Sequence, residues 1–185
     1  GGLSVSTNSG SSWTNYTTSS GLGENYVPGV YASGSTIYAA TYGGGLSVST
    51  NSGANWTTYT TSNGLGDNNV TGVYAVGSTI YAATEGGLGV STNNGASWTN
   101  YNNSKGLADN LVYSVFAAGS TIYAGTESGL SISTNSGTNW TTYIRNQAVY
   151  GVYASGSTIY AATGGGGLSV STNSGANWTT YTTSN

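Results

Sequence analysis

Apolar and polar positions alternate over Leu46-Ser47-Val48-Ser49-Thr50, break at Asn51-Ser52-Gly53-Ala54-Asn55, and resume in Trp56-Thr57-Thr58-Tyr59-Thr60. A period of two predicts strands, and the Asn/Ser/Gly cluster predicts the turn joining them. Ser62 to Asn68 follows as a loop built on Gly and Asp residues that form turns. Val70 to Ala75 and Thr79 to Thr84 flank a tight turn at Gly77-Ser78 and are apolar or small at nearly every position. That pattern suits strands covered on both faces. No segment has helical period, and Thr, Val and Tyr favour strands.

The same four-strand unit recurs along the chain. Trp stands at 13, 56, 98, 140 and 178, in steps of 43, 42, 42 and 38, and Leu3, Leu46, Leu88, Leu130 and Leu168 repeat those steps. The last step is short because the Gly-Leu-Gly-Asp-Asn segment is missing between Tyr143 and Ala148. Units of about 40–50 residues with four antiparallel strands predict an all-β fold, a β-propeller of four-stranded blades. A β-solenoid is the alternative, but its coils are generally shorter and lack two hairpin turns per unit. Small residues such as Gly72, Ala75, Ala82 and Ala83 suit crowded strands near the axis, and the Trp and Tyr strands suit the wider rim.

The turn Ser6-Thr7-Asn8-Ser9-Gly10-Ser11-Ser12-Trp13 and its four later copies resemble the Asp-box (BNR) hairpin, with Asn in place of Asp every time. The segment between the turns is similar to the two-component-regulator propeller repeat of bacterial sensor proteins. The resemblance implies that the boxes join the third and fourth strands of a blade, on the outer side. It also makes Asn8, Asn51, Asn93, Asn135 and Asn173 turn formers, with Trp13, Trp56, Trp98, Trp140 and Trp178 covering the hairpins. In that phase the chain is a half-blade (1–20) followed by complete blades at about 21–62, 63–104, 105–145 and 146–185. The half-blade leaves an unpaired edge, which is a pairing liability. Continuation of the chain past Asn185, pairing of two molecules, or a head-to-tail fibre would each resolve it.

Composition narrows the chemistry. The 185 residues include no His, Cys or Met, two basic and five acidic residues, 31 Gly, 16 Tyr and 5 Trp. Without His there is no imidazole base, and without His or Cys no zinc or thiol site of the usual kind. Two cations, Lys105 and Arg145, cannot build a nucleic-acid surface. No apolar run approaches a membrane span of about 20 residues. No cofactor is implied. Abundant Ser, Thr and Asn with few charges favour an extracellular or cell-surface setting. The chain opens at Gly1 without Met or a secretion signal, as a processed or excerpted product would.

The acids fall into two registers: Glu24, Asp67 and Asp109 in the loop before the innermost strand, and Glu85 and Glu127 after the second strand of a blade. Paired carboxylates can hydrolyse a glycoside, but acids repeated in equivalent loops read better as solvated turn residues; a calcium site is the other reading. Sialidases share the Asp box but bind substrate with several Arg, and here Arg145 stands alone. Tyr31, Tyr74 and Tyr153 share one register with Phe116, and Tyr38, Tyr81, Tyr123 and Tyr160 share another; both read as core between blades. Tyr26, Tyr42, Tyr113 and Tyr150 break the repeat and are the candidate ligand or glycan contacts. The expectation is a non-enzymatic scaffold that self-associates through its half-blade, with a lectin-like binder or a ligand-sensing receptor domain as alternatives.

Overall fold

Each sequence unit is shared between two antiparallel sheets, its first two strands completing one blade and its last two beginning the next. The computed structural model describes residues 1–183, so the last two residues of the fourth expected blade, Ser184 and Asn185, lie outside the described residues. A two-stranded piece, β1 (Leu3–Val5) and β2 (Thr14–Tyr16), comes first. Blade one is β3 (Gly29–Ser33), β4 (Thr36–Thr41), β5 (Gly45–Ser49) and β6 (Thr57–Tyr59). Blade two is β7 (Val70–Val76), β8 (Thr79–Thr84), β9 (Gly87–Ser91) and β10 (Thr99–Tyr101). Blade three is β11 (Val112–Ala118), β12 (Thr121–Thr126), β13 (Gly129–Ser133) and β14 (Thr141–Tyr143). Blade four is β15 (Val149–Ser155), β16 (Thr158–Thr163), β17 (Gly167–Ser171) and β18 (Thr179–Tyr181). Strands pair in sequence order within every sheet, the up-and-down meander of a propeller blade.

First strands of successive blades lie side by side: β3 beside β7, β7 beside β11, and β11 beside β15. Glycine permits that approach. A Cβ on Gly29 would stand 2.9 Å from the Thr71 carbonyl oxygen and 3.0 Å from the Cα of Gly72. The core fills the spaces between sheets. Tyr38, Leu46 and Val48 of blade one meet Val70, Ala75 and Ile80 of blade two, and the pattern repeats at the next two junctions.

The rim is held by one contact made four times. The last Tyr of each blade packs edge-on or tilted against the Trp of the next: Tyr16 on Trp56, Tyr59 on Trp98 and Tyr101 on Trp140 at 5.5–5.8 Å, and Tyr143 on Trp178 at 6.3 Å. Three of these phenols also donate to a turn carbonyl of the neighbouring blade, at Ser52, Asn94 and Ser136. Thus Trp56, Trp98, Trp140 and Trp178 bridge blades, beyond the expected role of covering their own hairpins.

The turn is closed by the Asn side chain over four residues. Asn51 Oδ1 accepts from the Asn55 backbone N–H, four residues on, and from the Ser49 hydroxyl, whose oxygen accepts in turn from the Gly53 N–H. Asn8, Asn93, Asn135 and Asn173 repeat these bonds. Asn8 and Asn93 also donate from Nδ2 to the Ser12 and Ser97 hydroxyls, bonds that a carboxylate could not make. Left-handed backbone is shared by two residues, Ser52 as well as Gly53. A difference from the sequence expectation concerns the interblade loops, three of which, all but the short link from blade three to blade four, contain a one-turn 3-10 helix: Thr18–Ser20, Thr61–Asn63 and Asn103–Lys105. Three residues are too few to leave a periodic signal. Each of the three then buries a leucine, Leu22, Leu65 or Leu107.

Equivalent positions differ in burial according to whether a neighbour is present. Leu88 is fully buried, while Leu168, at the same place in blade four, is 40% exposed. Leu88→Ala is expected to cost about 2–5 kcal/mol and Leu168→Ala under about 1 kcal/mol. Urea denaturation midpoints of the two variants check the difference.

Candidate functional site

A β-bulge begins the first strand of blades two, three and four. Val70 stands opposite Thr84 and Gly72 opposite Ala83, so Thr71 is the extra residue; Tyr113 and Tyr150 occupy the same place in their blades. A bulged residue is released from the ladder and its side chain is re-aimed. Blade one carries Pro28 at this position, where the missing N–H costs no ladder bond. One residue before the conserved-register Val, the backbone meets the residue that follows the second strand. Tyr42 N–H donates to the Tyr26 carbonyl (3.0 Å), Glu85 N–H to Asn69 (3.1 Å), and Glu127 N–H to Leu111 (3.0 Å). The departures from the repeat therefore collect at one end of the first strands.

There they form a cup. Tyr26, Pro28, Tyr42, Thr71, Glu85, Leu111, Tyr113 and Tyr150 line one cavity of about 360 Å3. All four repeat-breaking tyrosines meet here, although they come from three different blades. Two edge-on pairs frame it: Tyr26 with Tyr42 at 5.8 Å and Tyr113 with Tyr150 at 4.8 Å. Tyr26, Tyr42 and Tyr150 are exposed, and Tyr113 is half-buried.

Two carboxylates fix two of the rings. The Tyr42 hydroxyl donates to Glu85 Oε1 (2.8 Å), and Asn69 Nδ2 holds the other oxygen of that carboxylate (2.7 Å). The Tyr113 hydroxyl donates to Glu127 Oε2 at 2.6 Å. Hydrogen bonding to Glu127, helped by burial and by its negative charge, pushes the Tyr113 phenol up to about 12. Tyr42 is raised for the same leading reason, its bond to Glu85. Both phenols stay protonated donors across the physiological range, and both glutamates keep lone pairs free for a ligand.

A second recess adjoins the cup, lined by Glu127, Arg145, Asn146, Gln147, Tyr150 and Gly164 among others. It exists because blade three joins blade four by a short link in which Ile144 and Asn146 both adopt left-handed backbone, with φ of 49° and 62°. Such a conformation is costly for a β-branched residue. It places Arg145, the sole arginine, on the wall of a recess that Tyr150 also lines. Sequence reasoning missed Glu85 and Glu127 as partners of the cup tyrosines, and Arg145 as part of the adjoining recess. For the two glutamates the signal was present, since both occupy the register of Tyr42 after the second strand.

The remaining acids are satisfied locally. Asp67 accepts from the Asn69 N–H, Asp109 from the Leu111 N–H and the Ser128 hydroxyl, and Glu24 from the Asn25 N–H. No group of three or more potential metal ligands occurs among the described residues. Among them, too, no helix is long and apolar enough to cross a membrane.

Stacked four-stranded meanders with their first strands side by side are the architecture that a family model recognises in residues 88–185, described as the DUF6242 beta propeller domain. The chain belongs to this family. Among solved structures it is similar to an ancestral GH74 enzyme (25% identity, TM-score 0.64, covering 83% of this chain and 23% of that one). It is also similar to the extracellular domain of BT3049, a candidate hybrid two-component system from B. thetaiotaomicron (20% identity, TM-score 0.75, 92% and 26% coverage). A third is YCF48 bound to D1 peptide (16% identity, TM-score 0.63, 96% and 59% coverage). The chain thus spans about a quarter of the first two proteins. The two likenesses under 25% identity concern the fold alone. No curated protein matches the sequence.

The Tyr113–Glu127 bond predicts a pH dependence. A phenol whose value is raised on folding contributes stability that is complete below about pH 10, its unfolded value, and is lost as pH rises through about 12. In a phenolate absorbance titration, Tyr113→Phe should remove one of the last tyrosines to ionise. Glu127→Gln should bring that ionisation back toward 10.

Proposed function

We propose that this propeller is a non-enzymatic, extracellular interaction module that takes a carbohydrate ligand in its tyrosine cup. The observation that carries this reading is the convergence of Tyr26, Tyr42, Tyr113 and Tyr150 on one cavity with Glu85 and Glu127 beside them. Ring faces suit the apolar side of a sugar, and carboxylates and phenols suit its hydroxyls. The site sits where rigid strands end, which gives the precise placement that binding needs. Likeness to extracellular domains of candidate bacterial sensor systems supports an extracellular ligand-sensing context. A GH74 enzyme shares the fold at 25% identity. Here the two glutamates of the cup each hold a tyrosine hydroxyl, which favours binding over acid–base work.

A second reading, self-association, is favoured by the chain's two end faces. Tyr181 is the rim tyrosine of blade four and Trp13 the rim tryptophan of the half-blade; both are more than half exposed, unlike the pairs between them. Gly10, the counterpart of the glycines that seat the other rim tyrosines, has only Trp13 near it. Tyr181 of one copy fits that vacant seat on the next, making a scaffold by head-to-tail stacking.

Glycan-array screening followed by calorimetry tests the first reading. One ligand per chain is expected, and the double variant Tyr113→Ala/Tyr150→Ala should weaken it at least tenfold. Binding of one ligand per blade, or binding indifferent to that variant, would overturn it. Concentration-dependent mass in light scattering that Tyr181→Ala abolishes is the result expected of self-association.

A further inference from the structure

The tyrosine cup carries charge of one sign. No cationic side chain lines it: of the chain's two basic residues, Lys105 donates from Nζ to the Asn100 carbonyl, and Arg145 lies on the wall of the adjoining recess. Four of the chain's five carboxylates bear on its tyrosines. The charges of Glu85 and Asp67 act on the Tyr42 phenol, and those of Glu127 and Asp109 on the Tyr113 phenol. Glu85 is itself part of the wall, fixed there by one bond to each of its oxygens, from Tyr42 and from Asn69. The rings add to the effect. Tyr26 meets Tyr42 at 64° and Tyr113 meets Tyr150 at 63°, so each pair makes a corner rather than a flat stack. The face of an aromatic ring is its negative side and attracts a cation within about 6 Å of the ring centre. A phenol that donates to a carboxylate holds more electron density in its ring, which strengthens that attraction at Tyr42 and Tyr113. Pro28 and Leu111 complete the wall with apolar surface.

We propose that the carbohydrate taken by the cup is an amino sugar with a free, protonated amine, of the glucosamine class. This rests on the carbohydrate reading above and names the ligand within it. The ammonium group sits among the four rings and pairs with the Glu85 carboxylate, while the apolar side of the same sugar ring lies against Pro28 and Leu111. Acetylation of the amine removes its charge, and with it both the attraction to the ring faces and the ion pair. An acidic sugar is disfavoured, because its carboxylate meets carboxylates of like sign. Arg145 does not reverse that sign, since it shares its recess with Glu127. A neutral sugar meets the same rings and hydroxyls but leaves the charge of the cup unanswered.

The probes are trimers of glucosamine, N-acetylglucosamine and glucose with the same linkage, titrated into the whole chain by calorimetry at about pH 6, below the ordinary amine range. One site per chain is expected, with the glucosamine trimer bound about tenfold more tightly than either neutral trimer. Glu85→Gln, which keeps an acceptor for the Tyr42 hydroxyl, should cut that preference to about threefold or less. A neutral trimer bound as tightly as the charged one would overturn the amine assignment and leave the carbohydrate reading standing. Tight binding of the charged trimer that Tyr113→Ala/Tyr150→Ala leaves intact would also overturn it, since attraction to the net negative charge of the chain would then suffice. Binding of none of the three overturns the assignment, and an empty glycan array besides takes the carbohydrate reading with it.

Discussion

A propeller sheet has two apolar faces and no other layer to cover them, so every blade depends on the blade beside it. The rim tyrosine shows the terms of that dependence. Tyr16, Tyr59 and Tyr101 lie where a Cβ on Gly53, Gly95 or Gly137 would overlap their rings, and each packs on a tryptophan of the next blade. Stability is then close to a sum of blades and junctions, as in other repeat architectures. The end faces, lacking a neighbour, expose the residues that are buried between them. Tyr160 and Leu168 are open to solvent where Tyr123 and Leu130 are buried.

Repetition supplies a rigid frame, and departures from it supply chemistry. The bulge at the start of three first strands frees one residue per blade from the ladder, and two of those residues are tyrosines. The position after the second strand is Tyr42, Glu85, Glu127 or Gly164, three residue types over four blades. Both sets emerge at the same end of the sheets, so variation in sequence is concentrated in one place in space. The hydrogen bonds from Tyr42 and Tyr113 to the two glutamates hold rings and carboxylates in a fixed relation. This surface, unlike the stacked tyrosines between blades, does not recur from one blade to the next.

Strand order and the Trp-bearing turns were legible because each leaves a local mark, alternation or a turn cluster, whereas the grouping of strands into blades was an expectation from the family resemblance. The half-blade was legible from the count of units. The Asn bond over four residues, the second left-handed residue at Ser52 and the one-turn helices were not, because they depend on backbone angles that several residue types adopt. At the candidate site, Tyr26, Tyr42, Tyr113 and Tyr150 could be singled out as interruptions of a pattern. Their meeting could not, since Tyr26 and Tyr150 lie far apart in the chain and in non-adjacent blades. The role of Arg145 was hidden by the missing loop, whose shortening reads as a deletion and whose consequence is a recess.

The sequence by itself therefore determined the unit, its number and its stacking, because strand pairing within a blade is between neighbours in the chain and each unit repeats the same local code. Tertiary structure alone decided which side chains share a cavity and which faces remain uncovered. Those outcomes depend on how the blades are arranged about the axis, and that angle is set by packing between sheets, to which every unit contributes and which no single one encodes.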